Sequence, residues 1–184
     1  MSRDWPQSSV MELEDIEAMA RTGRKRLLFE PSAGQAVDLG RDEVEKLLPH
    51  REPFLFVDRI TALDPATAAI AGSRRIDPAD PLFRGHFPQE PIYPGVLQLE
   101  IMGQLALCLL GLLETGPAEN RAQRARAYKI HHAVFLAPIR PGDALAVLGK
   151  LVESDDYTAL CAGQIVKGGA ICAFALMEVY FVEA

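Results

Sequence analysis

A chain of 184 residues, 49% of them apolar, can bury one good hydrophobic core and is short for two independent domains. Its formal net charge of -6 supplies none of the basic excess that phosphate-backbone binding requires, which argues against nucleic acid as the main partner. Cys108, Cys161 and Cys172 sit among apolar neighbours without the paired spacing of zinc or redox motifs. They read as free thiols of a cytoplasmic protein, and neither a metal nor a cofactor is expected.

Residues 1–37 read as an N-terminal extension with one amphipathic helix, and residues 38–184 as the domain proper. Ser9-Val-Met-Glu12 resembles a capping box, Leu13, Ile16 and Ala20 share one helical face, and Gly23 suits the end. The first residues lack the apolar run of a signal peptide. The Arg24-Lys25-Arg26 run reads as a solvated turn. A second short helix is expected from Arg41 to Leu48, stopped by Pro49, and the segment PFLFVDRI at 53–60 is a strand candidate.

Residues 95–115, GVLQLEIMGQLALCLLGLLET, are apolar on nearly every face and long enough for five turns of helix. Gln98, Glu100 and Gln104 interrupt the run, so it reads as a core helix enclosed by protein and not as a membrane span. After a polar linker around Pro117–Arg126, strands are expected at 127–136, 143–154, 157–168 and 169–183, separated by Pro-Gly-Asp, Ser-Asp-Asp and Gly-Gly. A long buried helix followed by a meander gives an α+β fold, an antiparallel sheet wrapped around the helix. His131 and His132 should face opposite ways on their strand, in structural roles.

Chemistry concentrates between Phe83 and Glu100. Prolines and glycines stiffen the approach to the helix and hold His86 on a rigid loop. Pro94-Gly95 puts a small residue at the helix start, where unpaired N–H groups and the positive dipole end favour an oxygen gathering negative charge. Glu100 follows about one and a half turns into an apolar helix, where desolvation favours the protonated, proton-donating form. Gln104, one turn further, could orient Glu100 or hold a backbone amide, and both readings stay open. His50-Arg51 reads as a packing and interface pair.

Three segments then carry a resemblance: LLPHREPFLFVDR (47–59), GHFPQEPIYPGVLQLE (85–100) and APIRPGD (137–143) resemble the 3-hydroxyacyl-[acyl-carrier-protein] dehydratases of bacterial fatty acid synthesis. The resemblance implies a hotdog fold in which two subunits pair their sheets, with His86 of one and Glu100 of the other forming the acid/base pair. It further implies that the Gly95 N–H binds the thioester carbonyl and that Tyr93, Val96 and Phe135 lie along the acyl chain. A homodimer is expected, with a trimer of dimers as a compatible larger assembly, and an acyl carrier protein is the expected partner. Arg51, Arg59, Arg84, Arg124, Arg126, Lys129 and Arg140 would gather as a basic rim to steer it. Gln89-Glu90-Pro91 and Tyr93 depart from the family pattern and bear on substrate preference, whereas Glu at 100, not Asp, fits the dehydratase over the dehydratase/isomerase branch. Two other functions fit a hotdog chain, an acyl thioesterase and a non-catalytic acyl-binding subunit.

Overall fold

The computed structural model describes residues 11–114 and 121–182. In chain order these form α1 (Leu13–Gly23), β1 (Gln35–Leu39), α2 (Arg41–Leu47), β2 (Arg59–Asp64), β3 (Ala69–Arg75), α3 (Gly95–Leu113), β4 (Ala125–Phe135), β5 (Ala144–Ser154), β6 (Thr158–Lys167) and β7 (Ala170–Phe181). The strands make one antiparallel sheet in the order β1-β2-β3-β5-β6-β7-β4. The sheet wraps around α3, whose Ile101, Met102, Leu105 and Leu109 are fully buried. By length and composition α3 could cross a membrane, yet here it packs on β3, β5 and β6.

Two glycines let this helix settle close to the sheet. A Cβ on Gly163 of β6 would come within 2.6 Å of Met102, and one on Gly72 of β3 within 2.8 Å of Leu105. Strand alternation then aims the neighbouring residues outward, so Ala162, Gln164, Phe174 and Leu176 face away from α3. The N-terminal segment covers that outer face. Ile16 and Ala20 of α1 cluster with Ala162, Phe174 and Leu176, and Phe29 packs with Ala62, Ala71 and Leu148. Gln164, with no exposed surface, fixes the cover in place: its Nε2 donates to the Gly23 and Arg26 carbonyls and its Oε1 accepts the Leu28 N–H. Both faces of β6 are therefore buried along nearly its whole length.

Several expectations change. Leu13 stands 77% exposed, off the packed face of α1, and Ser9 of the proposed capping box lies outside the described residues, as do linker residues 115–120. The strand expected at 53–60 begins only at Arg59. Side chains there replace a ladder: Gln104 pairs with the Phe54 carbonyl and the Phe56 N–H, and Arg41 and Arg74 donate to the Leu55 carbonyl. Strands β1 and β3 had no sequence expectation, and β1 begins the sheet at Gln35. Of the four C-terminal strands expected as a meander, β5, β6 and β7 form one and β4 does not. β4 lies beside β7 at the sheet edge, because the β4–β5 link contains Pro138 and Pro141 and is too long for a tight hairpin. His131 and His132 do not face opposite ways. A register shift between Ile130 and His132 adds an extra residue, so His131 meets Glu178 at 2.7 Å while the His132 ring lies 6.1 Å from Phe174, on the same face of β7.

Candidate active site

The loop bearing His86 is tied down at several points. Asp80 accepts the Leu82 N–H at 2.9 Å to cap the turn Pro81–Arg84, the His86 N–H donates to the Leu82 carbonyl, and the Tyr93 N–H donates to Ile139 at 2.7 Å. This is the stiff approach that the prolines predict. The His86 ring is half-buried and stacks on Phe87 with centroids 4.2 Å apart. Its Nδ1 lies 3.0 Å from the Ile92 carbonyl oxygen. A carbonyl can only accept, so the neutral ring carries its proton on Nδ1 and leaves the Nε2 lone pair free.

The loop delivers the chain to the start of α3. Leu97 and Gln98 N–H groups both return to the Pro94 carbonyl, and the N–H groups of Gly95 and Val96 stand at the positive end of a 19-residue helix. Phe135, at the end of β4, lies across this point: a Cβ on Gly95 would come within 2.9 Å of its ring. A cavity of about 350 Å³ opens here, lined by His86, Ile92, Tyr93, Gly95, Gln98 and Phe135 and walled by residues 136–138. Tyr93 is 2% exposed, and burial pushes its hydroxyl up to about 12. Its ring is enclosed by protein, 6.3 Å from Phe83. Val96, 71% exposed, is not part of the lining.

Glu100 is not part of the lining either. Its carboxyl is held elsewhere: Gln104 Nε2 donates to Glu100 Oε1 at 2.8 Å and to the Phe54 carbonyl at 2.9 Å, while Gln104 Oε1 accepts the Phe56 N–H at 2.7 Å. Both readings of Gln104 are thus correct at once. The Glu100 side chain keeps 31% exposure, more than an apolar helix led us to expect. His50 Nε2 approaches the same Oε1 at 3.5 Å. The sequence reads His50 as half of a packing and interface pair, and its place in the 47–59 segment is the signal that ties it to Glu100.

The anticipated basic rim is thinner than the list of residues suggested. Arg59 pairs with Asp38, Arg51 with Glu45, and Arg124 donates to the Val182 carbonyl. Arg124 and Arg126 stand at the far end of β4 from Phe135, roughly 30 Å along an extended strand. Arg84 precedes His86, and Arg140 meets Glu90 at 3.1 Å beside the cavity wall. That wall is braced by Asp143, whose carboxylate accepts the Arg140 N–H at 2.7 Å and Lys167 Nζ at 2.8 Å. A larger depression of about 570 Å³, lined by Arg41, Phe54, Phe56, Asp58 and Arg74 among others, includes neither His86 nor Glu100.

Comparison with known proteins bears on this arrangement. The family model described as the FabA-like domain matches residues 48–175. The chain is 34% identical over 143 residues to the 3-hydroxyacyl-[acyl-carrier-protein] dehydratase FabZ of Campylobacter curvus, covering 77% of this chain and 96% of that relative. It is 41% identical over 146 residues to the FabZ of Chlamydia muridarum, covering 76% and 94%. Among solved structures, the dehydratase heterocomplex ApeI:P from Xenorhabdus doucetiae aligns with a TM-score of 0.63 at 16% identity, over 76% of this chain and 91% of that one. An uncharacterised protein, PH1136 from Pyrococcus horikoshii, aligns with a TM-score of 0.54 at 11% identity, over 72% and 88%. At such identities the structural likeness speaks for the fold alone, and that fold is the hotdog.

Proposed function

We propose, since this chain belongs to the FabA-like domain family, that it removes water from (3R)-hydroxyacyl thioesters carried on an acyl carrier protein and leaves trans-2-enoyl thioesters, in fatty acid or related acyl-chain biosynthesis. The activity is that of a hydro-lyase acting in the cytoplasm. The observation that carries the reading is that His86, its proton held on Nδ1 by the Ile92 carbonyl, lines the same cavity as Gly95 at the start of α3. The thioester oxygen sits on the Gly95 and Val96 N–H groups, which stabilise the enolate-like charge as His86 Nε2 takes the proton from Cα. Glu100 gives its proton to the C3 oxygen. The C3–O bond breaks with its electron pair going to oxygen, and the pair left at Cα closes the double bond. The products are water and the trans-2-enoyl thioester.

The acid comes from a second subunit. Support lies in the absence of Glu100 from the cavity lining its own chain builds, and in the place of β4 at the sheet edge, where no strand among the described residues pairs with its outer side. An edge strand of 11 residues invites another strand on its outer side, and the apolar side chains near it stand open: Ile130 at 55%, Phe135 at 47% and Leu136 at 44% exposure. Pairing two β4 edges makes a homodimer, with a trimer of dimers as a further level. Phe135 and Val96 then line the acyl path, and Arg84 and Arg140 meet the acidic carrier. The test is subunit mixing with the (3R)-hydroxydecanoyl thioester of N-acetylcysteamine, followed by enoyl absorbance. His86→Ala and Glu100→Gln homodimers should each be inactive, and the exchanged mixture should recover about a quarter of wild-type activity, because half the dimers keep one complete site. No recovery after proven exchange would return the pair to one chain.

A further inference from the structure

Glu100 has two carboxyl oxygens, and one of them is already engaged. Gln104 Nε2 reaches Oε1 at 2.8 Å, and His50 Nε2 converges on the same atom at 3.5 Å. His50 lies on the irregular segment after α2, its ring 6.2 Å from that of Phe54 and its side chain 23% exposed. The other ring nitrogen, Nδ1, is buried and has no hydrogen-bond partner among the described residues. A neutral imidazole carries one N–H. Placed on Nδ1 it would be buried without an acceptor, whereas on Nε2 it has a carboxyl oxygen 3.5 Å away.

We infer that His50 is a positioning residue: its Nε2–H and the Gln104 amide together occupy Glu100 Oε1, which leaves Oε2 to carry the acid proton towards the C3 oxygen of the substrate. The inference rests on Glu100 being the acid of the dehydration. In that step the Oε2–H bond breaks, the proton joins the C3 oxygen, and the carboxylate left behind keeps both donors on Oε1. His50 has to remain neutral, since an imidazolium beside Glu100 would pull it to the carboxylate before substrate arrives. The charged groups facing His50 are Glu100 on α3, Arg126 on β4 and Arg51 on its own segment. Burial first, and then the two arginines, hold the imidazole below its ordinary value against the opposing pull of Glu100.

The experiment uses the full chain and the same hydroxydecanoyl thioester, with kcat and KM measured across pH for His50→Leu, His50→Gln and Glu100→Gln. His50→Leu removes the donor. It should lower kcat about tenfold with KM held within about twofold, and should move the alkaline limb of the kcat profile upward, because the carboxylate form has lost a partner. His50→Gln keeps a neutral N–H and should restore at least about half of the wild-type kcat. If His50→Leu does not fold, His50→Ala is read by the same criteria. A wild-type kcat and pH profile in the donor-less variant, or a folded His50→Gln no better than His50→Leu, overturns the inference while an inactive Glu100→Gln keeps the acid assignment. An active Glu100→Gln overturns both together.

Discussion

At Gly95 the Phe135 ring leaves no room for a Cβ, and the same residue presents the N–H that would hold the thioester oxygen. Gly95→Ala should therefore cost about 1–3 kcal/mol of stability through forced repacking, and lower kcat/KM by about a hundredfold through displacement of the helix start. Thermal melting and steady-state kinetics check the two parts separately. If stability falls while kcat/KM holds, the N–H at this position does not contact the reacting oxygen. The sequence points to His86, Gly95 and Glu100 as candidates because each belongs to a stiff or interrupted segment. It did not make His50 legible, because the contact with Glu100 spans fifty positions and depends on where an irregular segment crosses α3.

The elements were read with uneven success for a physical reason. β5, β6 and β7 stand out as apolar runs between turn residues, and each begins and ends within a residue or two of its expected place. Residues 53–58 also look like a strand, yet their backbone groups are satisfied by Gln104, Arg41 and Arg74, partners no local pattern records. β3 hid because Ala69-Ile-Ala-Gly-Ser is short of β-branched and aromatic residues, and its helix-facing Gly72 is required for close approach. The attachment of α1 was equally hidden, since Gln164 in the middle of a strand gives no hint that it binds three backbone groups of the N-terminal segment. Gln164→Leu should leave those groups unpaired and cost about 3 kcal/mol. Trypsin should then cut at Arg24, Lys25 or Arg26 well before the sheet unfolds. Unchanged melting and unchanged cleavage would mean that the apolar contacts of Ile16 and Ala20 alone hold the helix.

For the molecule as a whole, the 137–143 segment brings acid sensitivity to the wall of the cavity. Burial alone would raise the Asp143 carboxyl, but the Lys167 ammonium and the Arg140 N–H overcome it and hold the group below its ordinary 3.8. With the folded value depressed, the unfolded chain binds more protons in the window between the two values. The contribution is complete above 3.8 and is lost as pH falls through the folded value. Asp143→Asn should accordingly melt below the wild type by a constant margin from neutrality to weak acid, worth about 1–2 kcal/mol, and the two should converge in stronger acid. A margin that widens on acidification would mean that Asp143 is not stabilising as a carboxylate.

The bond from His86 Nδ1 to the Ile92 carbonyl has one more consequence. Enzymes that orient a basic histidine with a neighbouring aspartate expose that arrangement to mutation at two positions. Here the acceptor belongs to the main chain, which every residue at 92 supplies alike. A saturation scan of the loop should find His86 itself intolerant but no second side chain whose loss uncouples the tautomer. The orientation of the His86 ring is written in the path of the backbone, and only changes that redirect the loop, such as at Pro91 and Pro94, can erase it.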